Sequence, residues 1–249
     1  AEIFGTLDKD RNAMFLECIN MVLDIWAGEA PYNLKGDYFE VSTERTMLSD
    51  IGQGSIIKPY QYPHPPIIGT VVAPYSKGIT AMAARGWEPI SANFLLPKWV
   101  KTHWSNYAEG CALGGRTADP ANWRIAKNIC VADDMKTAKK YARGENSPYV
   151  LYYQQLLTKF RDSGRLNLFK EDQEMSDDKV TLDYVLDRLV TYGDPSSVAD
   201  QILEFRDTVG DFSHLVYAGH DWTDYDLGRK SMILTAEKVI PILNDAIKD

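Results

Sequence analysis

His220 and Asp221 stand side by side after a short apolar run, with Trp222 next to them. An imidazole beside a carboxylate invites acid–base chemistry. Consecutive side chains on an extended segment point to opposite faces, however, which argues against a direct dyad. A second candidate is Tyr75-Ser76-Lys77-Gly78, which joins an apolar run to a small-residue helix. Free backbone N–H groups at a helix start, a hydroxyl and an ammonium together suit a phosphate; the same residues also make a plain strand-to-helix turn. Ser91 and Asn93 close another apolar run, where they either face a ligand or merely finish the strand. His103 shares a helical face with Trp99, Val100 and Tyr107 and reads as packing, and His64, set among prolines, reads as structural. No His, Cys, Asp or Glu cluster has metal-ligand spacing, so no metal is expected. Neither GxGxxG nor GxxxxGK[ST] occurs, which removes the commonest dinucleotide and nucleoside-triphosphate signatures.

The elements that must position these residues alternate along the chain. A helix is expected from about Lys9 to Trp26, with Asp8 as N-cap and Phe15, Cys18, Ile19, Val22, Ile25 and Trp26 on one face. Lys58 to Pro66 holds four prolines and suits neither a helix nor a central strand. Ile67–Ala73 is apolar and β-branched, as in a strand covered on both faces. Further strands are expected at Pro89–Asn93, Arg124–Ala132 and His214–Ala218, with helices after each. Asp194 and Pro195 open one helix, which Gly210 closes, and Ser231 to about Ile247 forms the last. Gly144 to about Thr181 reads as irregular and charged. Four strands, each followed by a helix, make a parallel α/β protein, either a barrel or an open sheet.

The totals set limits. The 249 residues are 45% hydrophobic and 25% charged, enough to bury a core, and the net charge of −8 argues against a nucleic-acid partner. No apolar run approaches the roughly 20 residues that span a bilayer, so no membrane association is expected. Cys18, Cys111 and Cys130 form neither a CxxC pair nor a disulfide framework and read as small buried hydrophobes in a reducing compartment, which makes the cytoplasm the expected location.

Several segments also carry a likeness. Residues 1–30 run from Ala-Glu-Ile-Phe-Gly-Thr-Leu-Asp into a helix ending Leu23-Asp24-Ile25-Trp26; Gly36-Asp37-Tyr38-Phe39 follows, then Lys58-Pro59-Tyr60-Gln61 with Pro63-His64-Pro65-Pro66-Ile67. Further on come Gly193-Asp194-Pro195, Gly219-His220-Asp221-Trp222 and Ala236-Glu237-Lys238-Val239-Ile240-Pro241. In this order they resemble the bacterial luciferase-like, flavin-dependent monooxygenases, especially the limonene- and diketocamphane-monooxygenase type. The corresponding family features are the fourth barrel helix, a G-x-Y/F-F hairpin, the entry to strand five, a helix start usually written G-T-P, and the eighth strand with the last helix.

The resemblance implies a (β/α)8 TIM barrel of which only strands five to eight are apparent, residues 1–249 forming one domain that begins partway through it. A natural half-barrel or a different fold is the alternative. It implies an enzyme that uses reduced FMN from a separate flavin reductase to put one oxygen atom of O2 into a small apolar organic substrate, and a homodimer. An F420-dependent oxidoreductase on the same barrel and a non-catalytic subunit or fragment are the other readings. Tyr75, Ser76, Lys77 and Gly78 correspond to an S-P-x-S segment that holds the FMN phosphate, with Tyr75 and Gly78 standing where hydroxyl residues are usual. Ser91 and Asn93 are implied to face flavin or substrate, and His220 and Trp222 to line the substrate pocket. Residues 144–181 correspond to a mobile lid, placed between the seventh and eighth strands, that keeps a reactive intermediate from water. The family's catalytic histidine lies on early strands with no candidate here, so no catalytic residue is assigned and the chain alone is expected to be inactive.

Overall fold

Asp10, not Asp8, caps the first long helix: its carboxylate accepts from the N–H groups of Asn12 and Ala13, and α1 runs Arg11–Ala27. The computed structural model describes residues 1–248 and divides the chain into two units, Ala1–Pro66 and Ile67 onward. In the first unit α1 is followed by an antiparallel hairpin of β1 (Asn33–Lys35) and β2 (Glu40–Ser42), with the Glu17 carboxylate accepting the backbone N–H groups of Asp37, Tyr38 and Phe39 in its turn. The expected apolar face of α1 is only partly buried. Phe15 and Cys18 are exposed, and Met21 and Ile25 are the covered positions, because the Lys58 ammonium draws the proline-rich segment over that end by donating to Ile25 O, Gly28 O and Tyr32 Oη. Cys18 is therefore not a buried hydrophobe, whereas Cys111 and Cys130 are.

The second unit alternates strand and helix: β3 (Ile68–Val71), α2 (Lys77–Ala84), β4 (Glu88–Ser91), α3 (Pro97–Leu113), β5 (Arg124–Val131), α4 (Met135–Arg143), α5 (Pro148–Asp162), α6 (Leu182–Leu189), β6 (Val190–Gly193), α7 (Pro195–Val209), β7 (His214–Tyr217), α8 (Tyr225–Leu234) and α9 (Ile240–Ala246). A π-helical turn, Thr235–Val239, joins the last two and accommodates Pro241 at the start of α9. Each strand pairing in this unit is parallel, in the path β3-β4-β5-β6 with β7 also on β5. The parallel α/β class is as expected. Among the described residues these strands do not close into a ring.

Two expectations need correction. The parallel sheet has five strands rather than four: Val190-Thr191-Tyr192-Gly193 escaped notice because it is short and follows Leu189 of α6 with no Gly or Pro between them. Residues 144–181 consequently lie between the third and fourth of five strands, not before the last. Nor is that segment irregular. Ser147 and Pro148 start a fifteen-residue helix, α5, whose Tyr149, Tyr153, Leu157 and Phe160 recur at helical spacing and are buried.

β5 is the hub of the sheet. Its first half, Arg124–Lys127, pairs with β7, and its second half, Asn128–Val131, pairs with β6. Ile125 faces one hydrophobic cluster with Leu95, Val100 and Trp123, while Ile129 faces another formed with Val198, Ala199 and Ile202 of α7. α2 and α3 approach closely at Gly110, where a Cβ would stand 2.4 Å from Thr80 O.

Candidate functional site

Because the strands are parallel, the loops after Val71, Ser91, Val131, Gly193 and Tyr217 gather at one edge of the sheet. Ligands in such folds sit at that edge. It carries three polar assemblies, which differ in how far their hydrogen-bonding groups are committed to the protein.

The first is the turn before α2. Tyr75 adopts φ 50°, a left-handed conformation that strains a bulky residue, and its N–H donates to Thr102 Oγ1 at 3.0 Å. Ser76 occupies the N-cap position with its side chain making no capping bond, and the first-turn N–H groups of Lys77 and Gly78 precede the first helical bond. The Lys77 ammonium lies 3.3 Å from Glu109 Oε2 and is largely exposed. Backbone donors and one hydroxyl therefore stand ready for an anion, while the lysine is engaged elsewhere.

The second assembly is sealed. Ser91 ends β4 at 0% exposure, and His103 of α3 is equally buried. His103 Nε2 is 3.0 Å from Ala73 O, so this nitrogen carries the proton and Nδ1 accepts from the Ser91 hydroxyl at 2.8 Å. The Ser91 oxygen in turn accepts from Trp123 Nε1 at 3.0 Å. Burial pushes the His103 pKa down to about 4, against the opposing pull of the Ala73 carbonyl. Ser91 thus has its hydroxyl committed and no surface of its own toward a ligand.

The third assembly opens onto a cavity. Asn93 Nδ2 donates to Asn128 Oδ1 at 3.0 Å, and Asn128 Nδ2 donates to Tyr153 Oη at 2.5 Å. The Tyr153 hydroxyl donates to Asn93 O and the Tyr152 hydroxyl to Asn93 Oδ1. His220 Nε2 lies 2.8 Å from the same Asn128 Oδ1, which can only accept, so the proton sits on Nε2. Its Nδ1 has no protein partner among the described residues. The imidazole packs 4.6 Å from the Tyr152 ring and edge-on to Tyr149 at 5.4 Å. Desolvation by burial lowers the His220 pKa, with the Asp221 carboxylate pulling the other way. His220, Asp221, Tyr152, Leu151 and Gln155 line a cavity of about 520 Å³, which shares Glu145, Asn146, Ser147 and Thr223 with a neighbouring one of about 750 Å³.

Asn93 and His220 are thus brought together, although one follows β4 and the other follows β7. Trp222 is turned aside: its indole covers Gly228 of α8, where a Cβ would stand 2.5 Å from the ring, and it meets Tyr225 edge-on. Asn128, Tyr152 and Tyr153 were missed from sequence. The signal was present in Lys127-Asn128, two polar residues in the middle of a strand that is apolar but for Arg124 at its start. Among the described residues no group of three or more His, Cys, Asp or Glu could hold a metal ion, and no helix is long and apolar enough to cross a membrane.

With this geometry in place, the comparison with known proteins is direct. A profile of the luciferase-like monooxygenases matches residues 1–211, and the chain belongs to that family. It is similar to 3,6-diketocamphane 1,6-monooxygenase of Pseudomonas putida, with 22% identity over 88% of this chain and 58% of that protein. Among solved structures it is similar to a type II Baeyer-Villiger monooxygenase, the oxygenating constituent of 3,6-diketocamphane monooxygenase from the CAM plasmid of P. putida in complex with FMN. The TM-score is 0.78 at 22% identity, covering 94% of this chain and 64% of that one. An F420-dependent secondary alcohol dehydrogenase shares the fold less closely, with a TM-score of 0.54 at 18% identity over 94% of this chain and 62% of that one. The chain spans about three-fifths of the length of these relatives.

Proposed function

We propose that this chain belongs to an FMN-dependent, two-component monooxygenase acting on a small apolar organic substrate, with reduced FMN delivered by a separate flavin reductase. The observation that carries this reading is that one sheet edge holds both an anion-ready turn, Tyr75–Gly78, and a half-buried neutral imidazole, His220, on a cavity. The donors present suit a phosphate monoester in part: the Lys77 and Gly78 N–H groups and the Ser76 hydroxyl would hold it, and Lys77 would join on leaving Glu109. When bound, the flavin supplies the activation of O2. The chain's own residues position and shield. Asn93 and Asn128 fix the imidazole so that Nδ1 is the acceptor offered to the cavity, and Tyr149 and Tyr152 restrict its rotation. We further propose that residues 144–181, built on α5, serve as the lid that excludes water, that residues 1–249 belong to one domain, and that the working protein is a cytoplasmic homodimer.

The second reading, an F420-dependent oxidoreductase, is favoured by the fold shared with the F420-dependent alcohol dehydrogenase. A third, a non-catalytic subunit, draws on Tyr75 and Gly78 at positions where the family uses hydroxyl residues. Anaerobic titration with reduced FMN and with F420, followed by substrate-dependent O2 uptake, separates them. Reduced-FMN binding with O2 uptake supports the first reading, F420 binding alone the second, and no flavin binding the third.

A further inference from the structure

On the opposite face of β5 from Asn128, Lys127 is 6% exposed, and its ammonium sits 4.6 Å from the centre of the Phe205 ring of α7. A buried ammonium is costly unless an anion or several acceptors compensate it, and an aromatic face does so only in part. Among the described residues no carboxylate, carbonyl or hydroxyl takes a hydrogen bond or forms an ion pair with it. Burial alone pushes its pKa down to about 8. At pH 7 it therefore still carries its charge.

The ammonium lines a cavity of about 210 Å³ between β5, β6 and α7. Thr191 of β6, also 6% exposed, lines the same space, and its hydroxyl has no hydrogen-bonding partner among the described residues. Both residues are more than nine-tenths buried overall, and their polar ends, without a protein partner among the described residues, meet one open pocket. Gln201, also on its wall, is held by bonds to Tyr192 O and Ser197 O. Two carboxylates and a second cation border the cavity: Asp187, which is paired with Arg143, the exposed Glu204, and Arg188, whose guanidinium stacks on Tyr184 and donates to Tyr184 O.

We propose that this cavity binds a small monocarboxylate, with the Lys127 ammonium as its counter-charge and the Thr191 hydroxyl as a donor to its oxygens. A single negative charge completes the buried cation. A dianion of phosphate type meets the two bordering carboxylates and is disfavoured. The site lies on the helix-covered face of the sheet and is independent of the flavin reading.

Thermal unfolding of the chain at pH 7 tests this, with acetate as probe, chloride at matched ionic strength as control and inorganic phosphate, a mixture of mono- and dianion at this pH, as the more highly charged comparison. Acetate should raise Tm saturably, by roughly 5–10 °C at a hundredfold excess over its Kd, and phosphate should do no more than chloride. Lys127→Met should unfold at a higher temperature than the parent without ligand and lose the acetate response. Thr191→Val, which keeps the charge and the shape, should weaken the acetate midpoint about tenfold. An acetate effect equal to that of chloride overturns the proposal, as does a response retained in both variants. Phosphate binding as tight as acetate overturns the carboxylate assignment.

Discussion

In both His103 and His220 burial disfavours the charged form, yet their surroundings differ in one respect. The protein occupies both nitrogens of His103, Nε2 by Ala73 O and Nδ1 by Ser91. It occupies only Nε2 of His220, by Asn128 Oδ1, and leaves Nδ1 on a cavity wall. A histidine whose bonds are all internal ties α3 to the ends of β3 and β4. A histidine with one nitrogen to spare can still act on something else. Depressed basicity alone therefore does not separate structure from function; the unfilled valence does.

The sharpest way to break the comparison is to remove the sealed ring. His103→Phe leaves the Ser91 hydroxyl and the Ala73 carbonyl without their partner, and stability measured by urea unfolding should fall by about 3–5 kcal/mol. His220→Phe should cost much less, since one face of its ring already meets a cavity. Equal losses in the two variants would erase the distinction.

Acid should act almost as strongly. The folded-state pKa of His103 is about 4 against 6.5 unfolded, so between those values the unfolded chain binds more protons. Stability is then fully present above pH 6.5 and drains away as pH falls toward 4, by about 3 kcal/mol in all. Urea midpoints across this window should show the slope in the parent and a flatter line in His103→Phe.

A smaller and more local effect is expected at the open histidine. Asn128→Asp places a carboxylate against His220 Nε2 and should raise the titration midpoint of that imidazole, read by NMR, while leaving His103 unmoved. A midpoint that stays put would mean that Asn128 does not hold the ring. Smallest of all, Tyr152→Phe removes one 3.1 Å bond to Asn93 and should cost about 0.5–1 kcal/mol.

Much of the frame was legible in the chain. β3, β4, β5 and β7 announced themselves as apolar runs, and Asp194-Pro195 marked the start of α7, with the Asp194 carboxylate accepting from Ser197 N as expected. β6 was hidden because a four-residue strand fused to a helix has no punctuation of its own. α5 was hidden because its aromatic stripe, Tyr149 to Phe160, looks like scattered patches until it is counted at helical spacing. At the site, Asn93 and His220 could be named from their places at strand ends, but their meeting on Asn128 depends on strand order, which periodicity does not encode. Ser91 and Trp222 show the converse. Each stands where a ligand contact is expected, yet each is satisfied by a neighbour, Trp123 and Gly228, that only the folded chain brings near.

The divided pairing of β5 has a consequence for the order in which the chain can be assembled. Its second half waits for residues from Val190 on and its first half for residues from His214 on, both far downstream. At about 5–20 residues per second, a ribosome needs several seconds to deliver them. Through that interval the longest strand of the sheet has β4 along only Arg124 and Ile125 and an open edge elsewhere. Lys127 and Asn128 stand at the point where the pairing changes hands. Before they are a counter-charge and a hinge for an imidazole, they are a hydrophilic interruption in a nascent segment that would otherwise be free to aggregate.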